Sequence, residues 1–335
     1  MTSMGTFVVG ETLDQIWAEL VERVMGPDAS EHDSRNGNTR ELLGVNLTLR
    51  DPRAGWLESS VRDMSPIYAA GEFLWYLSLE NKGDFITHYA PHYKRFLNDG
   101  IAWGGYGERM GTQLQDVIGL LRDKPNTRQA IIQLWSSRAK QDLVHARLGD
   151  KNDIPCTLGM QFLMRDGRLH CIVTMRSNDI WLGLPYDVFC FTNLQCLIAE
   201  FLDVEVGEYQ HNVGSMHVYT KDLSKTANLN LSDVPTTDPV LFTNKNYSWY
   251  LIDRYLDVER AYRLWSSETI PVPRLDDVMH ERSLPAGSRL SAMVALASLQ
   301  SIPLKEEGSD PMFEYIPEAW RESALRWQEK IRARD

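Results

Sequence analysis

Hydrophobic and polar positions in the first third of the chain follow the periodicity of α-helices. Behind a capping box that begins at Thr12, the apolar residues share one helical face: Leu13, Ile16, Trp17, Leu20 and Val24. Residues 67–79 are apolar on most sides, apart from Glu72, and predict a buried helix. A further helix is predicted over 115–122, and the polar stretch 27–40 is predicted to be a loop.

A period of two replaces the helical pattern in the middle of the chain. Residues 157–164 and 168–175 are strand-like and are separated by Arg165-Asp166-Gly167, which predicts a β-hairpin. The elements predicted after the hairpin are a mainly apolar helix and two strands: 186–202, 204–210 and 216–219.

The pattern changes again after Tyr219. Residues 224–246 are polar and rich in turn residues, and helical periodicity returns in three later stretches: 247–266, 288–301 and 317–333. We find no internal repeat and no low-complexity tract. We therefore expect a catalytic core over 1–225 and a C-terminal helical extension over 226–335 that packs on the same domain.

The composition is that of a folded, acidic protein. Hydrophobic residues make up 43% and charged residues 24% of the 335 residues, which excludes bulk disorder. With 35 Lys and Arg against 46 Asp and Glu, the net charge is −11, so the chain is a poor candidate for binding the backbone of a nucleic-acid polymer. A nucleotide monomer remains compatible, because one phosphate needs only a few local cations.

Cysteine content and hydropathy bear on the compartment. The four cysteines (Cys156, Cys171, Cys190 and Cys196) form no C-x-x-C pair with matching histidines, which argues against a structural zinc site. Four cysteines in 335 residues are also too few for a disulfide scaffold. No apolar run reaches the roughly 20 residues needed to cross a bilayer, and the N-terminal segment lacks the pattern of a secretory signal. We therefore expect a reduced, cytoplasmic protein that binds no metal and no membrane.

Several residues could carry chemistry, and each also has a plain structural interpretation. Cys156, just before a predicted strand, is either a nucleophile or an inert core residue. Arg176-Ser177, at the end of the hairpin's second strand, suits a phosphate or a solvated salt bridge. Asp187 is either functional or a helix N-cap. Glu72 is harder to assign to packing, because an unpaired buried carboxylate is costly.

Taken in order, these segments resemble the thymidylate synthase superfamily over roughly residues 12–225. The strongest matches are Asp153-Ile154-Pro155-Cys156, the hairpin, residues 176–187 (RSNDIWLGLPYD) and His217-Val218-Tyr219. The supporting matches are residues 71–75 (GEFLW), Tyr106-Gly107 and Thr127-Arg128-Gln129. The resemblance implies an α+β fold with a mixed β-sheet and surrounding helices. It also implies a homodimer whose active sites are shared between subunits.

The resemblance further implies covalent chemistry on a pyrimidine nucleoside monophosphate, with 5,10-methylenetetrahydrofolate as the carbon donor. Cys156 matches the nucleophile that adds to C6 of the base, Glu72 the glutamate that organises water and proton transfers, and Tyr106 a tyrosine near the nucleophile. The other matches are the phosphate ligands Arg35, Arg128 (from the second subunit), Arg176 and Ser177; the sugar ligands His217 and Tyr219; and the folate-site residues Asp179 and Gly183. Gln129 stands where a second arginine is usual, and Arg40 is an alternative to Arg35.

Asp187 is the informative departure from the family pattern. Thymidylate synthases carry asparagine here, whose amide matches uracil, whereas a carboxylate with a shared proton matches the N3 acceptor and N4 donor of cytosine. Aspartate at this position is typical of the deoxycytidylate hydroxymethylases. The resemblance therefore predicts conversion of dCMP to 5-hydroxymethyl-dCMP, in phage DNA modification or in nucleoside natural-product synthesis.

Other activities stay open at this point. They are a hydroxymethylase that acts on CMP, and a uracil enzyme, either thymidylate synthase or a dUMP hydroxymethylase. A member that only binds nucleotide or messenger RNA is disfavoured by the acidic charge and by the intact Cys156, Glu72 and Asp179. A hydroxymethyl product is favoured over methyl because residues 87–93 provide no tryptophan that aligns with a cover over the site, and residues 331–335 are charged, which favours entry of water.

Overall fold

The structure is a computed structural model that describes residues 4–34, 37–59, 61–226, 238–243, 245, 247–265, 274–282, 284–302 and 314–333. Within these ranges the strands are β1 (Met4–Gly10), β2 (Ser30–Ser34), β3 (Gly37–Leu49), β4 (Ile131–Gln133), β5 (Thr157–Arg165), β6 (Arg168–Asp179) and β7 (Glu205–Tyr219). The helices are α1 (Leu13–Met25), α2 (Pro66–Leu77), α3 (Gly83–Tyr89), α4 (Tyr106–Met110), α5 (Gln113–Asp123), α6 (Asp142–Leu148), α7 (Gly183–Leu202), α8 (Leu223–Thr226), α9 (Trp249–Arg263), α10 (Leu275–Glu281), α11 (Arg289–Ser298) and α12 (Glu318–Arg332).

The chain divides into two compact units. The first contains Met1–Met64, Thr112–Asp142 and Pro155–Pro239. The second contains Ser65–Gly111, Leu143–Ile154 and Val240–Asp335. All the described strands belong to the first unit, whereas the described ordered elements of the second unit are mainly helical.

The first unit is built on a mixed β-sheet. Its seven strands in the described ranges run in the order β1-β3-β7-β6-β5-β4, and β2 pairs with β3 outside this path. The pairs β1–β3 and β6–β7 are parallel, and the other neighbours are antiparallel. α1 packs on β1 and β3, and α7 packs on β6 and β7. The predicted α+β fold with a mixed sheet is therefore confirmed.

α1 and the hairpin of β5 and β6 form as the sequence predicts. The Thr12 hydroxyl accepts a hydrogen bond from the Gln15 amide at 3.4 Å and caps α1. The second bond of the predicted capping box does not form, because Gln15 Oε1 accepts from the Glu11 amide at 2.9 Å instead of from the Thr12 amide. The apolar face of this helix is at most 2% exposed: Leu13, Ile16, Trp17, Leu20 and Val24. At the hairpin turn, Asp166 and Gly167 have φ angles of 50° and 72°, the left-handed conformations that match the twist of the flanking strands.

Three local interpretations need correction. Residues 27–40 are not a loop, because β2 pairs there with the beginning of β3. The separate strands 204–210 and 216–219 are one strand, β7, because the polar residues between them continue the pairing with β3. Asp187 is not the N-cap of its helix, since α7 begins at Gly183 and Asp187 is its fifth residue.

The second unit packs its helices around α2. Ser65 caps α2 by accepting a hydrogen bond from the Tyr68 amide at 3.1 Å, and all residues of the helix except Tyr68 and Glu72 are buried. α2 contacts α3, α4, α11 and α12, so two helices of the segment predicted as an extension, 226–335, pack on a helix of the predicted core. Within the described ranges, every helix is too short or too polar to cross a bilayer.

Candidate active site

The ends of β5 and β6 bring the predicted nucleophile and two phosphate ligands together. Cys156 directly precedes β5 and is half-buried. Its carbonyl accepts the Arg176 amide at 2.8 Å, and its sulfur accepts from the Ser177 hydroxyl at 3.7 Å. The Arg176 guanidinium donates to the Pro155 carbonyl at 3.0 Å and to the Ser177 hydroxyl oxygen at 3.0 Å. A cation and a hydroxyl donor are therefore held beside the sulfur.

A chain of hydrogen bonds inside the first unit ends at Asp187. The Asn178 amide nitrogen donates to Asp187 Oδ2 at 2.7 Å, and the Asn178 oxygen lies 3.2 Å from His211 Nε2. His211 Nδ1 lies 2.6 Å from the Tyr209 hydroxyl. Burial lowers the pKa of His211 to about 3, so near neutral pH the ring carries one proton. With the Asn178 oxygen as acceptor, that proton is on Nε2 and Nδ1 accepts from Tyr209, which gives every bond a fixed direction.

The Asp187 carboxyl can exchange a proton near neutral pH. Burial raises its pKa to about 7, the hydrogen bond from Asn178 opposes this rise, and the nearby Asp179 adds to it. Among the described residues, the Asp187 carboxyl accepts a hydrogen bond only at Oδ2, from Asn178, so Oδ1 is left for a ligand. Gly183 makes room for this pair, because a Cβ there would lie 3.0 Å from Asn178 Nδ2. The folate contact predicted for Gly183 stays a prediction.

The raised pKa of Asp187 predicts a pH-dependent difference in stability. Its pKa is about 7 in the fold against an ordinary value of 3.8, so between these values the unfolded chain releases the proton while the fold retains it. The free energy of unfolding of the wild type therefore falls as the pH rises through this interval. In Asp187→Asn this decrease is absent, and the melting temperature of the variant minus that of the wild type should grow over the same interval. Thermal unfolding from pH 4 to 8 without nucleotide measures it. A difference in melting temperature that stays constant with pH would contradict the protonated state of Asp187. His211 is present in both proteins, so its contribution cancels in the difference.

The predicted folate and sugar residues lie where β6 and β7 end. Asp179 pairs with His217 across these strands, and its Oδ1 accepts the amides of Trp181 at 2.8 Å and Leu182 at 3.2 Å. Burial raises the pKa of Asp179, while the two amides and His217 lower it. The rings of His217 and Tyr219 are perpendicular, with centroids 5.3 Å apart. The structure thus brings Asp179, His217 and Tyr219 to one strand end.

The remaining predicted phosphate ligands are not joined to this cluster. Arg128 precedes β4 and is exposed, and its side chain makes no hydrogen bond to a described residue; its carbonyl accepts from Gln161 at 2.8 Å. Arg35 lies outside the described residues. Arg40 donates to carbonyls at the end of α1, those of Val24 at 3.0 Å and Gly26 at 2.8 Å. Its guanidinium therefore satisfies the last turn of α1.

The second unit contains the other two predicted catalytic residues. Glu72 is half-buried on α2 and accepts from the Tyr68 hydroxyl at 3.0 Å. Nearby, the Tyr93 hydroxyl donates to Asp153 at 2.9 Å. Burial raises the pKa of Tyr93 well above its usual range, and the charges of Asp153, Glu72 and Tyr106 add to the rise. Glu72 and Tyr106 therefore belong to one cluster of ionisable groups.

Sequence reasoning missed the side chains that support these residues. Asn178 lies inside the 176–187 motif and has no predicted role, and the sequence does not predict the hydrogen bond between Tyr93 and Asp153. Tyr209 and His211 lie two positions apart on the buried face of β7 and are fully buried. A histidine at a buried strand position is therefore the sequence feature that indicates a hydrogen-bonded supporting group. Among the described residues, no group of three or more His, Cys, Asp or Glu side chains could hold a metal ion.

Comparison with known proteins identifies the family. The family model described as "Thymidylate synthase" matches residues 15–256. The chain is similar to "Deoxyuridylate hydroxymethyltransferase" of Bacillus phage SP01, with 29% identity over 224 residues, 59% of this chain and 57% of the relative. It is also similar to "Bifunctional dihydrofolate reductase-thymidylate synthase" of Daucus carota, with 29% identity over 209 residues, 62% of this chain and 33% of the relative. The match thus covers less than two thirds of either relative's length. Because the family model covers more than half of this chain, the protein belongs to the thymidylate synthase family.

Proposed function

We propose that this protein is a pyrimidine nucleotide C5-hydroxymethyltransferase that converts dCMP to 5-hydroxymethyl-dCMP with 5,10-methylenetetrahydrofolate. The observation that carries the proposal is Asp187, whose carboxyl has a pKa of about 7 and ends a hydrogen-bond chain of fixed direction. Family membership supports one-carbon transfer, and similarity to a phage protein named as a hydroxymethyltransferase supports the hydroxymethyl product.

Base recognition follows from the two protonation states of Asp187. A neutral carboxyl donates its proton to cytosine N3 and accepts from the N4 amino group, which matches both polar atoms of that edge. Uracil presents an N3–H donor and the O4 acceptor, so the ionised carboxylate accepts from N3–H but leaves O4 facing an oxygen without an intervening proton. The unmatched pair disfavours uracil, since buried polar groups without partners are costly.

The covalent step uses the groups around Cys156. Its thiolate adds to C6 of the base, which makes C5 nucleophilic towards the transferred carbon. The positive charge of Arg176 and the hydrogen bond from Ser177 favour the thiolate. C5 then loses its proton and the bond between the transferred carbon and the folate nitrogen breaks, so tetrahydrofolate leaves; water adds to the exocyclic methylene, and the sulfur leaves C6. The C5 hydrogen is replaced by CH2OH, so the net reaction requires neither oxidant nor reductant.

The residues present fit a folate co-substrate. Asp179 uses Oδ1 for two backbone amides, and Oδ2 accepts no hydrogen bond from a described residue, which leaves an acceptor for the N–H groups of a pterin. When bound, the folate supplies the carbon at the oxidation level of formaldehyde. Glu72, oriented by Tyr68, is proposed to transfer protons and order the attacking water.

A second candidate is a hydroxymethyltransferase that acts on dUMP. The specific observation in its favour is the similarity to the phage protein named for deoxyuridylate. It requires Asp187 to accept from N3–H of uracil and to place its proton towards O4; when Asp187 is ionised, the contact at O4 is unmatched. The proposal also includes a homodimer in the cytoplasm, in which the exposed Arg128 would bind the phosphate in the partner's site.

Product analysis distinguishes these activities. The protein is incubated separately with dCMP, CMP and dUMP, each with methylenetetrahydrofolate, and products are identified by mass spectrometry. We expect dCMP to gain CH2O, about 30 mass units by atomic composition, and to turn over faster than CMP or dUMP. A methylated product, or preference for either other nucleotide, would replace the proposal with the corresponding activity.

A further inference from the structure

An ion pair is buried among the helices of the second unit, and the stability that such a pair contributes does not explain its presence there. Glu259 on α9 is 1% exposed, and its Oε1 accepts from Arg263 Nε at 2.7 Å and from the Tyr89 hydroxyl at 2.6 Å. Its Oε2 is buried and has no hydrogen-bond partner among the described residues. A buried carboxylate with one unbonded oxygen is costly, and such pairs are weak contributors to stability. A positioning role would account for its presence.

Tyr89 connects this ion pair to α2. A Cβ at Gly71 would lie 2.5 Å from two atoms of the Tyr89 ring, so the ring rests directly on the backbone of α2. Gly71 immediately precedes Glu72, whose carboxylate is oriented by Tyr68 one turn earlier. The hydroxyl end of the same ring is fixed by Glu259. The rotation of α2 at Glu72 is therefore limited by a ring that α9 holds in place.

The surroundings keep Glu259 directed at Tyr89. The Arg263 guanidinium lies 4.3 Å from the centre of the Phe85 ring, which places it against α3 as well as beside Glu259. His88 packs edge-on against Tyr89, and burial lowers its pKa to about 4, with Arg263 contributing. Near neutral pH His88 is uncharged and does not compete with Tyr89 for the carboxylate.

We propose that Glu259 and Tyr89 are positioning residues for Glu72, so that α9 sets the placement of a proton-transfer group. This inference rests on the proposed function, in which Glu72 transfers protons. It gives the C-terminal helices a part in catalysis through three contacts: Glu259 to the Tyr89 hydroxyl, the Tyr89 ring to Gly71, and Gly71 to its neighbour Glu72.

Removing the Tyr89 hydroxyl tests the first contact. Tyr89→Phe keeps the ring but loses the bond to Glu259, so kcat should fall about 10- to 100-fold while the Kd for dCMP stays within about twofold. Glu259→Gln keeps an oxygen that accepts from Tyr89 and should lose less than Glu259→Leu. The matched control is Tyr255→Phe on α9, the helix that carries Glu259. This substitution removes the hydrogen bonds of the Tyr255 hydroxyl to Pro285 and Ser288 and should leave kcat unchanged. Unchanged kcat in Tyr89→Phe would overturn the proposal.

A double-mutant cycle separates positioning of Glu72 from a general loss of structure. In a Glu72→Gln background, Tyr89→Phe should reduce kcat by less than about twofold, because the group it positions is already gone. Independent effects that multiply would overturn the proposal. Amide hydrogen exchange gives a readout without turnover: Tyr89→Phe should speed exchange in α2 around Glu72 more than Tyr255→Phe does. If the wild type converts none of the three nucleotides, the proposed function fails, and equal exchange in the two variants would separately reject the positioning.

Discussion

Cys156→Ser is expected to abolish turnover while the protein still binds its nucleotide. The serine hydroxyl is far less ionised than a thiol, so addition to C6 of the base is lost, and kcat should fall by about four orders of magnitude or more. Arg176 and Ser177 remain in place, because Arg176 is held by the Pro155 carbonyl and by Ser177. The Kd for dCMP should therefore stay within about tenfold of the wild-type value. Single-turnover kinetics and equilibrium binding measure the two quantities.

The matched control for this substitution is Cys171→Ser in β6. Cys171 is 1% exposed in the sheet and takes no part in the proposed chemistry, so serine there should lower the melting temperature and leave turnover per folded molecule unchanged. Covalent capture at Cys156 would be wrong if Cys156→Ser retained turnover within about tenfold of the wild type.

The parts of the fold that follow from local patterns could be predicted from the sequence. The apolar face behind Thr12 becomes the buried face of α1, and the Asp166-Gly167 turn joins β5 to β6 because both residues adopt positive φ. β3 also carries a usable signal, since the buried Val45 and Leu47 alternate with polar residues. β2 does not, because its residues are polar and largely exposed, and backbone pairing with β3 is what defines it.

The candidate site is only partly readable from the sequence, for a topological reason. Cys156, Arg176 and Ser177 are close because a short turn joins β5 and β6, which the pattern predicts. The chain from Tyr209 through His211 to Asn178 forms only because β6 and β7 pair in parallel through the crossover helix α7. The contact of Glu259 with Tyr89 spans 170 positions and has no local signal. Long-range pairing therefore determines the supporting residues.

Asp187→Asn is expected to shift base preference from cytosine towards uracil. The direction of the hydrogen-bond chain decides which atom of the new side chain meets the base. Asn178 donates to position 187, so the oxygen of the introduced amide must accept that bond, and its NH2 group is left for the ligand. That NH2 opposes the N4 amino group of cytosine, donor against donor, and matches O4 of uracil. The substitution therefore penalises one base and relieves the other.

The size of the shift follows from the cost of unmatched polar groups. Each mismatch is worth about 1–3 kcal/mol, and the penalty for cytosine adds to the relief for uracil. Since about 1.4 kcal/mol is a factor of ten, the ratio of kcat/KM for dCMP to that for dUMP should fall by about 100-fold or more. Asp179→Asn is the matched control: the same change of carboxylate to amide at the proposed folate site should lower kcat/KM for both nucleotides and keep their ratio. With both ratios measured at one folate concentration, an unchanged ratio in Asp187→Asn would mean that Asp187 does not contact the base, and the uracil enzyme would become the better assignment.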